Sequence, residues 1–187
     1  MSSQRFISLR SLGAAICAAS AACIPTSAFA ATQGSLGTTS TGSVSINASV
    51  PNRVRISGLN DVNLLNLDPT VDAFDAQDVC VWSNTATSGY SITASGSGAG
   101  SAFTLASGAS TVPYSVEWAG SAGQTSGTAL APATQETGFI SAATNQLCNS
   151  GPSASASLIV KLSSADLSTM QAGQTYNGTL TLLVQPE

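Results

Sequence analysis

Apolar and polar residues alternate with a period of two through much of this sequence. In residues 43–50, SVSINASV, Val44, Ile46, Ala48 and Val50 alternate with Ser43, Ser45, Asn47 and Ser49. That spacing puts four apolar side chains on one face of an extended strand. Pro51-Asn52 interrupts the run, and residues 53–56 resume it with Val54 and Ile56 on one face. Gly58-Leu59-Asn60-Asp61 reads as a turn. Residues 61–78 follow no sustained period and predict a loop with one short strand, although Asp68-Pro69 has the form of a helix N-cap followed by proline. From residue 79 the strand signals become regular. Residues 79–82 are apolar. Tyr90, Ile92 and Ala94 alternate with serine and threonine, and Phe103 and Leu105 follow a glycine-rich turn. Residues 112–118 predict one strand with Val112, Tyr114, Val116 and Trp118 on a common face. Leu130 and Phe139-Ile140 mark weaker strands. Residues 155–162 and 179–185 alternate again, and residues 164–167 suggest a single helical turn.

Short strands at intervals of about ten residues, separated by Gly, Ser and Asn, predict an all-β sandwich or barrel. No long amphipathic helix, βαβ rhythm or internal repeat is present.

The first thirty residues stand apart. Arg5 and Arg10 precede a largely apolar, small-residue stretch, and Ala28-Phe29-Ala30 is an A-x-A cleavage signal. This predicts a secretory signal peptide over residues 1–30, with Ala31 as the new N-terminus. A lipoprotein attached at Cys23 and a retained anchor are the alternatives. No later segment has enough continuous apolar residues to span a bilayer. Residues 31–42 form a low-complexity, mobile leader. The expected organisation is a signal peptide (1–30), a leader and candidate donor strand (31–50), and a single β-sandwich (51–187).

Without the signal, Arg53, Arg55 and Lys161 face all nine acidic residues. That balance argues against nucleic acid and anionic membrane surfaces as partners. Two cysteines remain, Cys80 and Cys148. In an exported chain they predict one disulfide, with two free thiols as the alternative. By the chain-entropy argument, closing a loop of about 70 residues stabilises by roughly 4 kcal/mol.

Candidate chemistry is sparse. The sequence contains no His, which removes the usual general base and the usual activator of a nucleophile. No zinc site follows from two sulfurs alone. The abundant serines read as surface and turn residues, with no G-x-S-x-G or S-x-x-K pattern. Glu117 and Glu136 are the pair that acid or glycosidic chemistry could use, against a reading as solvated acids. Asp68, Asp72, Asp75 and Asp78 cluster locally, but without the spacing or terminal Glu of an EF-hand loop. Trp82, Tyr90, Tyr114 and Trp118 could line a sugar-binding face, while strand alternation favours the core for most, with Trp118, near a loop, the candidate for exposure. Asn47-Ala48-Ser49 and Asn177-Gly178-Thr179 match the glycosylation acceptor by chance. The expectation is no enzyme, no metal and no cofactor.

Three stretches resemble the subunits of chaperone–usher fimbriae, particularly the alpha-class colonization-factor type. GSVSINASVPNRVRI, from Gly42, is similar to that family's N-terminal donor segment running into its first strand. VPYSVEWAG, from Val112, resembles a central strand carrying Tyr114 and Trp118. AGQTYNGTLTLLVQPE, from Ala172, resembles the terminal strand of many pilins. The resemblance implies an immunoglobulin-like β-sandwich that lacks its last strand and is completed by one donated from another subunit. The apolar face of the donor would be Val44, Ile46, Ala48 and Val50. Implied partners are identical or related pilus subunits, a periplasmic chaperone and an outer-membrane usher. The implied location, after export through the periplasm, is the cell-surface fimbrium, where the fibre supports adhesion or biofilm formation. A last strand running to Glu187 fits a fold with no strand of its own left to add. The sequence departs from the family in the leader that precedes residue 43. The cysteine pair is nearer to other disulfide-bearing pilins and to spore-coat-U-like secreted domains. In the alternative reading residues 43–50 are the first strand of a closed fold, and the chain is a monomeric secreted binding module with carbohydrate as a candidate ligand.

Overall fold

The computed structural model describes residues 30–187. The expected signal peptide, with Cys17 and Cys23, therefore lies outside the described residues apart from Ala30. The chain divides between Ser49 and Val50 into two units. In the first, Thr32 and Ser43 exchange both backbone hydrogen bonds, Thr32 N–H to Ser43 O at 2.8 Å and the reverse at 3.0 Å. They form an isolated antiparallel bridge. Residues 44–49 carry no strand assignment and are exposed.

The second unit is all-β. In chain order its elements are β1 (Val54–Ser57), β2 (Ala73–Ser83), β3 (Gly89–Gly96), β4 (Thr104–Ser107), β5 (Ser110–Pro113), β6 (Ser115–Ala119), β7 (Thr128–Ala129), β8 (Gln135–Ile140), β9 (Ala156–Leu162), the short helix α1 (Ser164–Leu167) and β10 (Leu180–Pro186). They form an antiparallel five-stranded sheet in the order β1-β2-β9-β6-β7, a three-stranded sheet β10-β3-β8, and a β4-β5 hairpin. Gly108, at φ +60°, opens the hairpin's two-residue turn, a position where a side chain would be strained.

The alternation seen in the sequence supplies the inward faces. Val79 and Val81 of β2, Val116 and Trp118 of β6, and Ala156, Leu158, Val160 and Leu162 of β9 pack against Tyr90, Ile92 and Ala94 of β3 in one core. Trp118 and Tyr90 are both 0% exposed. The Trp118 indole N–H donates to the Tyr90 hydroxyl at 3.0 Å, joining the two sheets through the middle of the core. Tyr90 also stacks on Phe139, at a centroid distance of 5.6 Å.

β9 is buried on both faces because loops roof the outer side of the large sheet. The Ser157 hydroxyl donates to Asp78, the Gly123 N–H donates to the same Asp78 oxygen, and the Gln124 N–H donates to Ser157. The 120–127 loop is thereby held over this face, where Ile159 is fully buried. Further along β2, Cys80 is joined to Cys148, with their Cα atoms 6.0 Å apart. This bond and Ala143 form a small second core against which Trp82 packs.

Several expectations change in detail. Residues 112–118 are two strands, not one. Pro113 has no N–H to donate, and the chain changes sheet there: β5 pairs with β4, whereas β6 pairs with β9 and β7. The short strand expected at residues 79–82 is the second half of the 11-residue β2. No helix follows Asp68-Pro69. Asp68 instead accepts hydrogen bonds from the Thr70 N–H and hydroxyl at 2.9 and 2.7 Å, which closes a turn. The predicted helical turn is α1, where the Ser163 hydroxyl accepts from the Asp166 N–H. Not all serines are superficial: Ser83, Ser91, Ser141, Ser155 and Ser157 are buried. The Ser155 hydroxyl accepts from the Val81 N–H at 2.8 Å and donates to the Val81 carbonyl at 2.7 Å, so a side chain completes what a strand neighbour would otherwise supply.

Two stability predictions follow from the core. Burial pushes the Tyr90 phenol above its ordinary value of 10.0, against the smaller opposing effect of the Trp118 N–H. Burial also raises Tyr114. A pKa raised by folding leaves stability intact below the unfolded value and removes it as pH climbs through the folded one. Titration followed by phenolate absorbance should therefore show a late ionisation that coincides with loss of near-UV dichroism. Tyr90→Phe and Tyr114→Phe should each reduce its amplitude. Replacing Cys80 and Cys148 together by Ser should lower the unfolding free energy by about 2–4 kcal/mol, measured by urea denaturation.

Candidate functional site

The edges of the two sheets are the least complete part of the sandwich. Strand β1 is bonded only to β2, and β10 only to β3, so each has one side without a neighbour among the described residues. β1 and β10 lie close to one another at this margin. An edge strand presents a row of unpaired N–H and C=O groups, and here both margins also carry apolar side chains.

In β10 the alternation is regular. Leu180, Leu182, Val184 and Pro186 are half-buried, while Thr181, Leu183 and Gln185 are exposed. In β1, Val54 and Ile56 are half-buried on either side of exposed Arg55. Residues Val62, Leu64 and Leu67, in the connection from β1 to β2, also pack on the core while remaining partly open. Deeper in the sandwich the inward positions are shut: Val79, Val81, Ile92 and Ala94 are each 0% exposed. The β1–β10 margin is thus an apolar seam next to two unpaired backbone edges. Its chemistry suits an extended segment that offers main-chain hydrogen bonds and alternating apolar side chains.

Such a segment exists in this chain. Val44, Ile46 and Val50 are exposed by 71%, 87% and 78%, and Ala48 is exposed as well. The expected strand over residues 43–50 is bonded only through the Thr32–Ser43 bridge at its first residue. Ahead of β10, Asn177 pairs with Ala106 of β4, and the Tyr176 hydroxyl accepts from the Gln171 N–H at 3.1 Å. These contacts fix the start of the last strand.

The other sequence candidates fall to separate structural tasks. Glu117 lies on β6 of the large sheet and Glu136 on β8 of the small one. Lys161 donates to Glu117 at 2.7 Å and the Gly127 N–H donates to it at 2.9 Å. The Lys161 hydrogen bond is the main cause that holds Glu117 below the ordinary carboxylate range, against a smaller opposing effect of burial. The four clustered aspartates also separate. Asp68 closes its turn. Asp72 accepts from the Ser164 N–H at the start of α1. Asp78 fastens the 120–127 loop, and Asp75 sits in β2 opposite Val160. Among the described residues no group of three His, Cys, Asp or Glu side chains could hold a metal ion, and no helix is long and apolar enough to cross a membrane. Of the four aromatic candidates, Tyr90, Tyr114 and Trp118 are core residues. Trp82 alone remains half-open, beside Arg53, Asn84 and the 144–146 loop. Sequence alternation alone could not separate Trp82 from the buried three, because its outward face is covered only in part, by a disulfide that closes 68 residues further along.

The Glu117–Lys161 pair gives a pH test. A carboxylate whose pKa is depressed by folding contributes stability that is present above its unfolded value and is lost as pH falls through the folded one. Glu117→Gln should lower stability at neutral pH by about 0.5–1 kcal/mol. It should also flatten the loss of stability below pH ~4.5, both measured by denaturant titration across pH.

No protein-family model matches this chain, and no curated protein matches it.

Proposed function

We propose that this chain is a structural subunit of a surface fimbria, exported through the periplasm and assembled by donor-strand complementation. The main support is a single pairing of features: an apolar seam at two unpaired strand edges, and an exposed segment with the alternating pattern that would fill it. In the assembly, residues 43–50 of one subunit lie along the β1–β10 margin of the next. The backbone of the donor bonds to the open edges. Val44, Ile46, Ala48 and Val50 cover Val54, Ile56, Leu180, Leu182 and Val184 of the acceptor. The completed subunit has the immunoglobulin-like form that the sequence resemblance implies.

The magnitudes are adequate. Burying Val44, Ile46 and Val50 contributes roughly 1.5–3 kcal/mol each before ordering costs. The leader loses conformational freedom when it docks, but the contact is extended, so main-chain bonds accumulate along its length. Before assembly the seam is an aggregation hazard, which gives a periplasmic chaperone its task, and an outer-membrane usher then exchanges chaperone for subunit. The resulting fibre supports adhesion or biofilm formation.

The test separates donor from acceptor. A Val44→Asp/Ile46→Asp chain should remain monomeric while keeping an open seam. A synthetic peptide of residues 41–51 at saturating concentration should stabilise it by about 2–4 kcal/mol, and the same peptide with both Asp changes should not. Leu182→Asp should block acceptance and leave the donor intact. If the unmodified chain is a stable monomer that ignores the peptide, fimbrial assembly is excluded. A self-contained secreted binding module then becomes the better account.

A further inference from the structure

A second surface, which shares β1 and Val50 with the proposed assembly region but lies on the outward face of the large sheet, has the make-up of a ligand site. On the outer side of the large sheet, at the end of β2, a recess of about 470 Å³ is lined by Val50, Arg53, Trp82, Asn84 and residues 144–146. None of these lining residues is acidic. Its base is Trp82, whose inner side rests on the Cys80–Cys148 and Ala143 cluster. Arg55 stands directly opposite Trp82 in the β1–β2 register. Facing residues in an antiparallel pair share a side of the sheet, with Cβ atoms about 4.5–5.5 Å apart. Both guanidiniums therefore belong to the side of the sheet that carries the indole.

The walls are fixed and the donors are open. The Asn84 side chain is engaged at both ends: it accepts from the Arg53 N–H at 2.5 Å and donates to the Pro51 carbonyl at 3.0 Å. Asn145 is held by bonds to Ser150 and to the Leu147 N–H, and the disulfide ties this loop to β2. By contrast, among the described residues no hydrogen bond or ion pair engages the guanidinium of Arg53 or Arg55, the Gln146 amide or the Trp82 indole N–H. Arg53 and Arg55 are two of the three cations downstream of residue 30, and the third, Lys161, is paired with Glu117. In a sequence with nine acids, the uncompensated positive charge is thus gathered around the one tryptophan that is not buried.

We propose that this recess binds an acidic saccharide, with the sugar ring stacked on Trp82 and its carboxylate held by Arg53 and Arg55. An indole face accepts the C–H face of a pyranose. Guanidiniums suit a planar carboxylate, which they can grip through two parallel hydrogen bonds. The Gln146 amide is placed for a ring hydroxyl. The overall acidity of the chain does not oppose this, because charges beyond about 8–10 Å are screened at physiological salt, whereas the arginines sit beside the ligand. A shallow recess with one aromatic wall and several open donors fits a single sugar unit at a chain end or along a polyuronide.

The experiment uses the full exported chain and oligogalacturonate as the probe, followed by calorimetry. Neutral galactan oligomers and poly-glutamate are the comparators. Oligogalacturonate should bind, neutral galactan should not, and poly-glutamate should bind at least about tenfold more weakly. Arg55→Gln, on the outward face of β1 opposite Trp82, should weaken oligogalacturonate binding by roughly tenfold, as expected for loss of one charge-assisted contact. Gln146→Ala should weaken it less, and Trp82→Leu should abolish quenching of indole fluorescence by the sugar. Equal binding of poly-glutamate would mean a simple anion patch, equal binding of galactan a neutral-sugar site, and no binding at millimolar oligogalacturonate no site at all; each overturns the proposal. Gln146→Ala, which lies outside both strands of the seam, should leave polymerisation unchanged while weakening saccharide binding, so failure here and failure of fimbrial assembly are distinguishable.

Discussion

The bond between Trp118 and Tyr90 is the point on which the sandwich turns. Each side chain is fully buried and belongs to a different sheet. A buried indole N–H or phenol without a partner would cost roughly 1–3 kcal/mol. Here each satisfies the other, so the polar atoms of two large aromatics enter the core without an unmet donor. That contact sets how β6 lies over β3. Packing of Val79, Val81, Ile92 and Leu158 around it completes the central core.

Completeness falls off away from this centre. The middle strands β2 and β9 have neighbours on both edges, and loops pinned by Asp78, Ser157 and the disulfide cover their outer faces. At the β1–β10 margin neither sheet has a further strand, and the same inward alternation that is sealed elsewhere stays half-open. Because the pattern of β10 is as regular as that of β9, the difference lies in what covers the strand, not in what the strand is. The proposed strand donation is the physical remedy for that deficit. The Trp82 recess differs in kind: it is rich in open donors, and its walls are held by the Asn84 and Asn145 hydrogen bonds and by the disulfide.

The assignments of the acidic residues teach the same point. Glu117 and Glu136 are the two carboxylates that acid chemistry could have paired, but they lie on strands of different sheets. Asp68, Asp72 and Asp78 form a run in sequence and serve three separate tasks: a turn, a helix start and a loop clasp. Backbone N–H groups near a carboxylate decide its role, and those groups arrive from segments up to 92 residues away.

The alternation of apolar and polar residues was enough to determine the all-β class, the positions of most strands and most of the core from residue 79 onward. The reason is local: a period of two has one extended solution that buries one face. The cysteine count, with the expected export, pointed to the Cys80–Cys148 bond. The sequence did not determine the break at Pro113, because a strand that changes sheets keeps its alternation. Nor did it reveal the burial of Ser155 and Ser157, whose hydroxyls are satisfied by distant backbone and side-chain groups. Which strands would be edges was also left to tertiary structure, since an edge is defined by a missing neighbour and not by any residue of its own. For the same reason only the folded chain decided that Trp118 would be sealed in the core while Trp82 stayed half-open beside two unpaired arginines.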